Sequence, residues 1–425
     1  MGVQSLFGCS AVTENVTGDL AIFGGKPTFP KPLHVGVPNL GDRERLYSRI
    51  DSILNRNVLT NRGPLVREFE ERIADLVGVR HCVAMSNGTV ALEIVTRALE
   101  FEHEVITPSM TFVATAHALQ WQRITPVFCD IVPGGHHLDP ARIKDLVTPR
   151  TSGILPVNLW GRPCDIDTTM SVARQYDLPV VFDSAHAFGC SYKGKMIGGF
   201  GKAEIFSFHA TKFINSFEGG AVVTDDDELA ETVRLMQNFG FEGRDQVVHV
   251  GINGKMTEIE AAMGLTSLES IESFVEHNRQ NYQAYKEGLH RVPGVRLIEY
   301  DEKEQCNYQY IVIELDERIT SVTCAQMLDI LGAENVDARR YFYPGCHRME
   351  PYRSYFPNAG MLLTNTENLL GKVLTLPTGT SVSVEQVQKI TALISRVIES
   401  GRSIGMRLRA RSDRRGSYTE SVCEA

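Results

Sequence analysis

A single lysine, Lys212, sits between a Ser/His/Thr cluster and a Glu-Gly-Gly turn in "FSFHATKFINSFEGGAVVTDD", residues 206–226. An amine in such a loop is either a solvated charge or a nucleophile toward a carbonyl. Three other segments bear on the choice. "AMSNGTVALEIV" puts Ser86, Asn87, Gly88 and Thr89 between a strand and a helix. Glycine there admits a ligand to the backbone, and free N–H groups at a helix start favour a phosphate; the same letters also make an ordinary helix cap. "PVVFDSAHAFG" sets Asp183 at the C-terminal end of a strand, where open α/β sheets build their sites, or where it only caps. "TPSMTFVATAHAL" places Phe112 at the opening of a helix, available to a ligand ring or to core packing. Taken together they meet the needs of pyridoxal phosphate: a lysine for the Schiff base, a carboxylate to keep the pyridine nitrogen protonated, an apolar cover and a phosphate cup. Asp183 precedes Lys212 by 212 − 183 = 29 residues, which leaves room for one strand and two turns, and Ser207 and His209 flank the lysine on its loop.

These residues need a scaffold, and the sequence supplies one. Short β-branched runs ("HCVAM", "EVITP", "ITPVFCD", "GILPVN", "PVVFD", "AEIFSF", "GAVVTD") alternate with amphipathic segments such as "GTVALEIVTRALE" and "IDTTMSVARQYD". Such alternation predicts an α/β fold, a mostly parallel sheet with helices on both faces. After residue 265 the rhythm changes to one long helix, "LTSLESIESFVEHNRQNYQAYKEGLHRV", followed by "VRLIEY" and "QYIVIEL". The expected division is a flexible N-terminal segment (1–27), a large domain (28–265), a smaller α+β domain (266–402) and a charged flexible tail (403–425).

The whole chain narrows the classes further. Its 425 residues exceed the size at which single cores stop growing, so two domains are expected. The net charge of −9 argues against a nucleic-acid surface. Nine scattered cysteines without a CxxC pair suggest reduced thiols, with no disulfide framework and no metal site. No apolar run approaches the ~20 residues of a membrane helix, and "MGVQSLFGCS" lacks a basic leader or a lipidation signal. A cytoplasmic protein is expected.

The segments "SNGTVAL", "PSMTFVATAHAL", "FDSAHAFG", "FSFHATKFINSFEGGAVVTDD" and "GINGKMTEIEAAMGL", flanked by "VLTNRGPLVREFE", "YFYPGCH" and "LTLPTG", resemble the DegT/DnrJ/StrS family of nucleotide-sugar aminotransferases over residues 28 to 400. The resemblance implies a fold-type I aminotransferase. By position, Lys212 would carry the cofactor and Asp183 would pair with its ring nitrogen. Phe112 and Ala185 would cover the two ring faces, and Gly88, Thr89 and Ser207 would hold the phosphate. Asn253 of "GINGKM" would reach the phosphate in a neighbouring subunit, making the active unit a homodimer with shared sites. His186 stands where the family usually has Gln against the cofactor's phenolic oxygen. Asn158 stands where many members have His, and Lys255 where Arg is common.

Substrate contacts are expected from Thr60 and Asn158, and from Arg339, Tyr343 and His347 of "ARRYFYPGCH". An arginine fork suits a diphosphate, although the segment also reads as a solvated basic turn. The implied reaction moves an amino group from L-glutamate to a keto-sugar nucleotide. The expected pair is dTDP-4-dehydro-6-deoxy-D-glucose giving dTDP-4-amino-4,6-dideoxy-D-glucose, in deoxyamino-sugar and antibiotic biosynthesis. The alternatives are a keto-inositol (aminocyclitol) aminotransferase and a non-catalytic pyridoxal-phosphate-binding regulator. A sugar dehydratase of the same fold would carry histidine in place of Lys212.

Overall fold

The computed structural model describes residues 19–420, with side chains as far as residue 410. The expectations placed on residues 1–18 and 421–425, including the reading of "MGVQSLFGCS", lie outside the described residues.

Helix α1 (Pro64–Val77) opens on a proline and closes at Gly78 with φ 74, as a missing N–H at one end and a left-handed cap at the other favour. There follow β1 (His81–Met85), α2 (Gly88–Ala98), β2 (Glu104–Pro108), α3 (Val113–Trp121), β3 (Thr125–Cys129), β4 (Thr151–Ile154), β5 (Val181–Asp183), β6 (Ala203–Ser207) and β7 (Gly220–Thr224). Strands β1-β7-β6-β5 form one hydrogen-bonded run and β3-β2-β4 another. Parallel bridges Ile154↔Val180 and Val157↔Asp183 join them, so that β4 lies beside β5. Within these seven strands only β7 runs antiparallel to its neighbours. A parallel neighbour would need a crossover of a dozen or more residues, usually a helix. The β6–β7 connection instead folds back on itself, Phe208 N donating to Gly219 O at 2.8 Å and Ser216 N to Phe208 O at 2.8 Å. Lys212 sits in that return loop. All five residues of β7 are buried, as expected for a strand covered on both faces.

Beyond β7, a two-stranded hairpin, β8 (Phe241–Glu242) and β9 (Gln246–Val247), precedes α4 (Glu258–Leu268) and α5 (Ile271–Leu289). The small domain is the antiparallel sheet β10 (Val295–Leu297), β11 (Ile311–Leu315) and β12 (Val373–Leu376), with α6 (Cys324–Ala333) and α7 (Val384–Glu399). Two cores result. Phe69, Ile73, Phe206 and Phe208 belong to the first; Tyr282, Ile311, Ile313, Leu374 and Ile394 belong to the second.

Four local expectations differ from this structure. The long helix is two helices broken at Glu269 and Ser270, and the boundary drawn at 265 falls inside α4. Leu20 is buried in the small-domain core, and Glu334 Oε1 accepts from Ala21 N at 2.7 Å, so residues 19–27 are anchored. The charged tail begins instead as α8 (Gly401–Glu420). Its Ile404 is fully buried in the small-domain core, Leu408 packs against the same cluster and Arg407 lies 4.1 Å over the Phe23 ring, since side chains four residues apart share one helix face.

Candidate active site

The loop that carries Lys212 is tight. A Cβ on Gly219 would lie 2.0 Å from Ser216 Oγ, and one on Gly220 would meet the backbone of Asn87 and Gly88 at 2.5 Å. The Glu-Gly-Gly turn thus lets β7 start directly against the β1–α2 turn. Lys212 is partly buried, and burial lowers its ammonium from the usual value to about 8, against the pull of Asp183.

Asp183, at the end of β5, is 5% exposed. Thr115 Oγ1 donates to its Oδ2 at 2.7 Å and Ala185 N to its Oδ1 at 3.1 Å. Burial pushes the carboxyl up, while those two donors and Lys212 pull it down. Thr111 Oγ1 meets Thr115 Oγ1 at 2.9 Å. Since the Thr115 proton is committed to Asp183, Thr111 is the donor of that pair.

Asn87 caps α2, its side chain accepting from Val90 N at 2.8 Å. The N–H groups of Gly88 and Thr89 have no intrahelical acceptor. A Cβ on Gly88 would stand 3.1 Å from Ser207 Cβ. Backbone donors and the Ser207 hydroxyl therefore converge on one spot, the chemistry of a phosphate cradle.

These groups line one cavity of about 600 Å³, together with Phe112, Ala185, His186, Tyr310, Tyr341 and Phe342. Phe112 is 56% exposed and lies 6.0 Å from the Phe342 ring, so it stands over the cavity and not in a core. Amine, carboxylate, apolar cover and phosphate cradle are thus all present, and the residues fit pyridoxal phosphate.

Other expected site residues lie elsewhere. Asn158 is fully buried, donating to Ser184 Oγ at 2.9 Å and accepting from Cys164 N at 3.0 Å; its amide is spent inside the fold, and it touches no ligand space. His347 is likewise buried, between Ser109 Oγ at 2.5 Å and Glu367 Oε1 at 2.6 Å, which corrects its assignment to a solvent rim. Arg339 and Tyr343 line a second, open cleft of about 590 Å³ with Arg340, and Tyr341 is common to both spaces. Thr60 and Asn253 are exposed and lie outside the cavity. Lys255 lines a separate small cavity and donates to Asn238 Oδ1 at 2.7 Å.

Sequence reasoning passed over Thr115, Tyr310, Tyr341 and Phe342. Thr115 follows Thr111 by one helical turn in "TFVAT", a spacing that could have marked it. Tyr341 and Phe342 lie inside "YFYPGCH".

Comparison with known proteins agrees with this geometry. Residues 41–395 match the DegT/DnrJ/EryC1/StrS aminotransferase family. The chain is 34% identical over 367 residues to an Escherichia coli dTDP-4-amino-4,6-dideoxy-D-glucose transaminase, covering 86% of this chain and 98% of that one. It is 32% identical to a GDP-perosamine synthase of Caulobacter vibrioides, covering 86% and 98%. The solved structure of DesI, crystallised in the presence of its TDP-sugar product, superposes with a TM-score of 0.88 at 47% identity, covering 92% of this chain and 99% of that one.

Proposed function

This chain belongs to the DegT/DnrJ/EryC1/StrS aminotransferase family, and from that membership we propose that it transfers an amino group from L-glutamate to C4 of dTDP-4-dehydro-6-deoxy-D-glucose. That it is a sugar-nucleotide aminotransferase follows from its relatives; the donor, the nucleotide and the carbon are the proposal. The observation that carries the chemistry is the partly buried Lys212 amine, lowered to about 8, in one cavity with Asp183. The observation that favours this sugar is the 47% identity to a structure solved with a TDP-sugar product. Similarity to a GDP-perosamine synthase shows that neighbouring relatives take other sugars, which is why the substrate needs its own test.

The family's aminotransferases use pyridoxal phosphate, which supplies an electron sink at the carbon whose proton is moved. Lys212 would hold the cofactor and then move that proton; an amine lowered to about 8 has a useful fraction of free base near neutral pH. Asp183, fixed by Thr115 and Ala185, would keep a proton on the ring nitrogen. Gly88, Thr89 and Ser207 would bind the phosphate, Phe112 and Ala185 the ring, and His186 the ring's edge.

The Arg339, Arg340 and Tyr343 cleft would seat the sugar's diphosphate, next to the reacting carbon across Tyr341. Arg340 is stacked 3.9 Å over the Tyr343 ring, which orients its fork.

A homodimer is part of the proposal. Exposed apolar side chains form two contiguous stretches: Leu59 beside Ile259, joined by Glu258 N donating to Leu59 O at 3.0 Å, and Phe239, Val248 and Ile252 at the base of the β8–β9 hairpin. Val250 is 76% exposed beside them. Apolar surface of this kind supports an interface there, and the exposed Asn253 and Thr60 follow Ile252 and Leu59 in sequence, where a second copy would meet them.

Mass spectrometry of products from a panel of keto-sugar nucleotides with glutamate tests the reading. The 4-amino-4,6-dideoxyglucose nucleotide is the expected main product. Preferential amination of a 3-keto sugar or of a free keto-inositol would replace it.

A further inference from the structure

Trp160 lies between β4 and β5 in a left-handed conformation, φ 63 and ψ 20, and is fully buried. Its backbone N–H donates to His186 Nδ1 at 3.3 Å, and its indole Nε1–H donates to His136 Nδ1 at 2.9 Å. Both groups of Trp160 are donors only, so each imidazole nitrogen they meet must present a lone pair. His136 then carries its proton on Nε2 and donates it to Glu314 Oε1 at 2.7 Å. Glu314 is anchored in turn by Arg296. By the same logic the His186 proton resides on Nε2, the nitrogen that Trp160 leaves free. The His186 ring is clamped as well, stacked 4.3 Å from Tyr310 and 5.8 Å from Trp160, and it lines the cavity with Lys212.

We propose that Trp160 and His136 are positioning residues that hold His186 as a neutral Nε2–H donor in the active cavity. Stacking sets the plane of the ring, the Trp160 backbone N–H sets its tautomer, and the indole bond to His136 holds Trp160 in place to do so. The cavity thereby receives one hydrogen-bond donor at this wall, never an acceptor and never a cation. Burial, reinforced by the Lys212 charge, keeps the imidazolium form out of reach. The inference rests on the cofactor reading for its consequence: the donor would face an acceptor oxygen of the bound cofactor or sugar.

Histidine-labelled holoenzyme, read by two-bond proton–nitrogen correlation and assigned by loss of the signal in His186→Gln, reports the tautomer directly. The expected result is a single Nε2–H form that persists from about pH 6 to about pH 8, the window in which an unrestrained histidine titrates. His136→Leu, which deprives the indole of its acceptor and Glu314 of its donor, should give mixed His186 tautomers. It should also move the pH midpoint of the bound cofactor's visible absorbance by about one unit. His136→Gln offers a carbonyl to the indole and an amide to Glu314, and should restore both readouts. An Nδ1–H or mixed form in the wild type would overturn the proposal whatever the variants do, and so would a His136→Leu protein with both readouts unmoved. Absence of any cofactor absorbance in the wild type would strike the cofactor reading instead, leaving the tautomer result to stand or fall by itself.

Discussion

Asp183 and Glu269 are both carboxylates drawn away from bulk water, and the protein treats them in opposite ways. Glu269, at the C-terminal end of α4, meets Arg49 at 2.5 Å, Arg72 at 3.2 Å and Arg45 at 3.3 Å. Burial pushes its carboxyl up, but the arginine hydrogen bonds and charges outweigh that and hold it below the usual value. Asp183 is more deeply buried and receives a hydroxyl, one N–H and the distant charge of a single lysine, so burial wins and its carboxyl is raised. A carboxylate that ties helices together is saturated with cations. One that awaits a ligand is left short of one, and the shortfall is the binding site for a protonated nitrogen.

The sharpest way to break this comparison is to remove the cations. Lys212→Ala should reduce turnover at least ~10³-fold, since it takes both the cofactor's attachment point and the proton carrier. Borohydride reduction followed by peptide mapping should find the cofactor on Lys212 in the wild type and nowhere in the variant; a label on any other lysine ends the assignment. Arg49→Ala should leave kcat essentially unchanged and cost about 1–2 kcal/mol in denaturant unfolding.

Neutralising each carboxylate comes next. Asp183→Asn should lower kcat ~10²–10³-fold while still binding cofactor, and the cofactor-free fold should be no less stable than wild type. Glu269→Gln should show the reverse, normal kcat with about 1–2 kcal/mol of stability lost. If Asp183→Asn behaved like Glu269→Gln, the strand-end aspartate would be a cap and nothing more.

The two regions should also differ in pH dependence. Lys212 has a folded pKa of about 8 against 10.5 for the ordinary amine. Between those values the unfolded chain holds a proton that the folded chain has released, so unfolding free energy rises with pH across that window. The gain is on the order of 3 kcal/mol and is absent below about 8. The difference between cofactor-free wild type and Lys212→Met isolates this slope; identical curves would mean that the amine is not desolvated. Glu269, with a lowered pKa, contributes in the opposite sense: its stabilisation is present above the ordinary carboxylate value and fades as pH falls through the folded one.

The smallest expected effect is at the rim. Arg339→Ala should raise KM for the sugar nucleotide by ~10–100-fold, about 1.5–3 kcal/mol of a charge-assisted contact. The glutamate half-reaction should be untouched. Loss of its surface pair with Asp337, 3.1 Å apart, should scarcely alter stability. An unchanged KM would remove the second cleft from the substrate's path.

The residues that the sequence made legible are those whose type and local setting are both unusual. Lys212 before a double glycine, Asp183 ending a strand and Gly88 opening a helix converge on one cavity. The β/α alternation likewise gave the sheet and its helices, because periodicity records which faces are covered. What remained hidden depends on partners remote in sequence. His347 looked like a rim residue because "RRYFYPGCH" is basic and polar, yet it is buried by Ser109, 238 residues away. Asn158 reads as an available amide until Ser184 and Cys164 are seen to occupy it. Thr115 and Tyr310 were absorbed into plausible helix and strand patterns, where period alone does not separate a core side chain from one facing a cavity. The tail looked apolar-poor by composition, but Ile404 and Leu408, four residues apart, found the small-domain core.

Helix α5 carries Phe274 into the core of the large domain and Tyr282, Tyr285 and Leu289 into that of the small one. A rod whose two halves are clamped in different bodies acts as an axle. The small domain, with Tyr341 and Phe342 on it, is held across that axis as well as along it, since Met110, Val157 and Trp160 of the large domain pack with Tyr310, Val312 and Phe342, and turning or sliding it would drag aromatic side chains out of close-packed surroundings. Heat meets the same coupling. Melting either core releases one end of the axle and withdraws support from the other, so the two domains should lose their structure in one cooperative step.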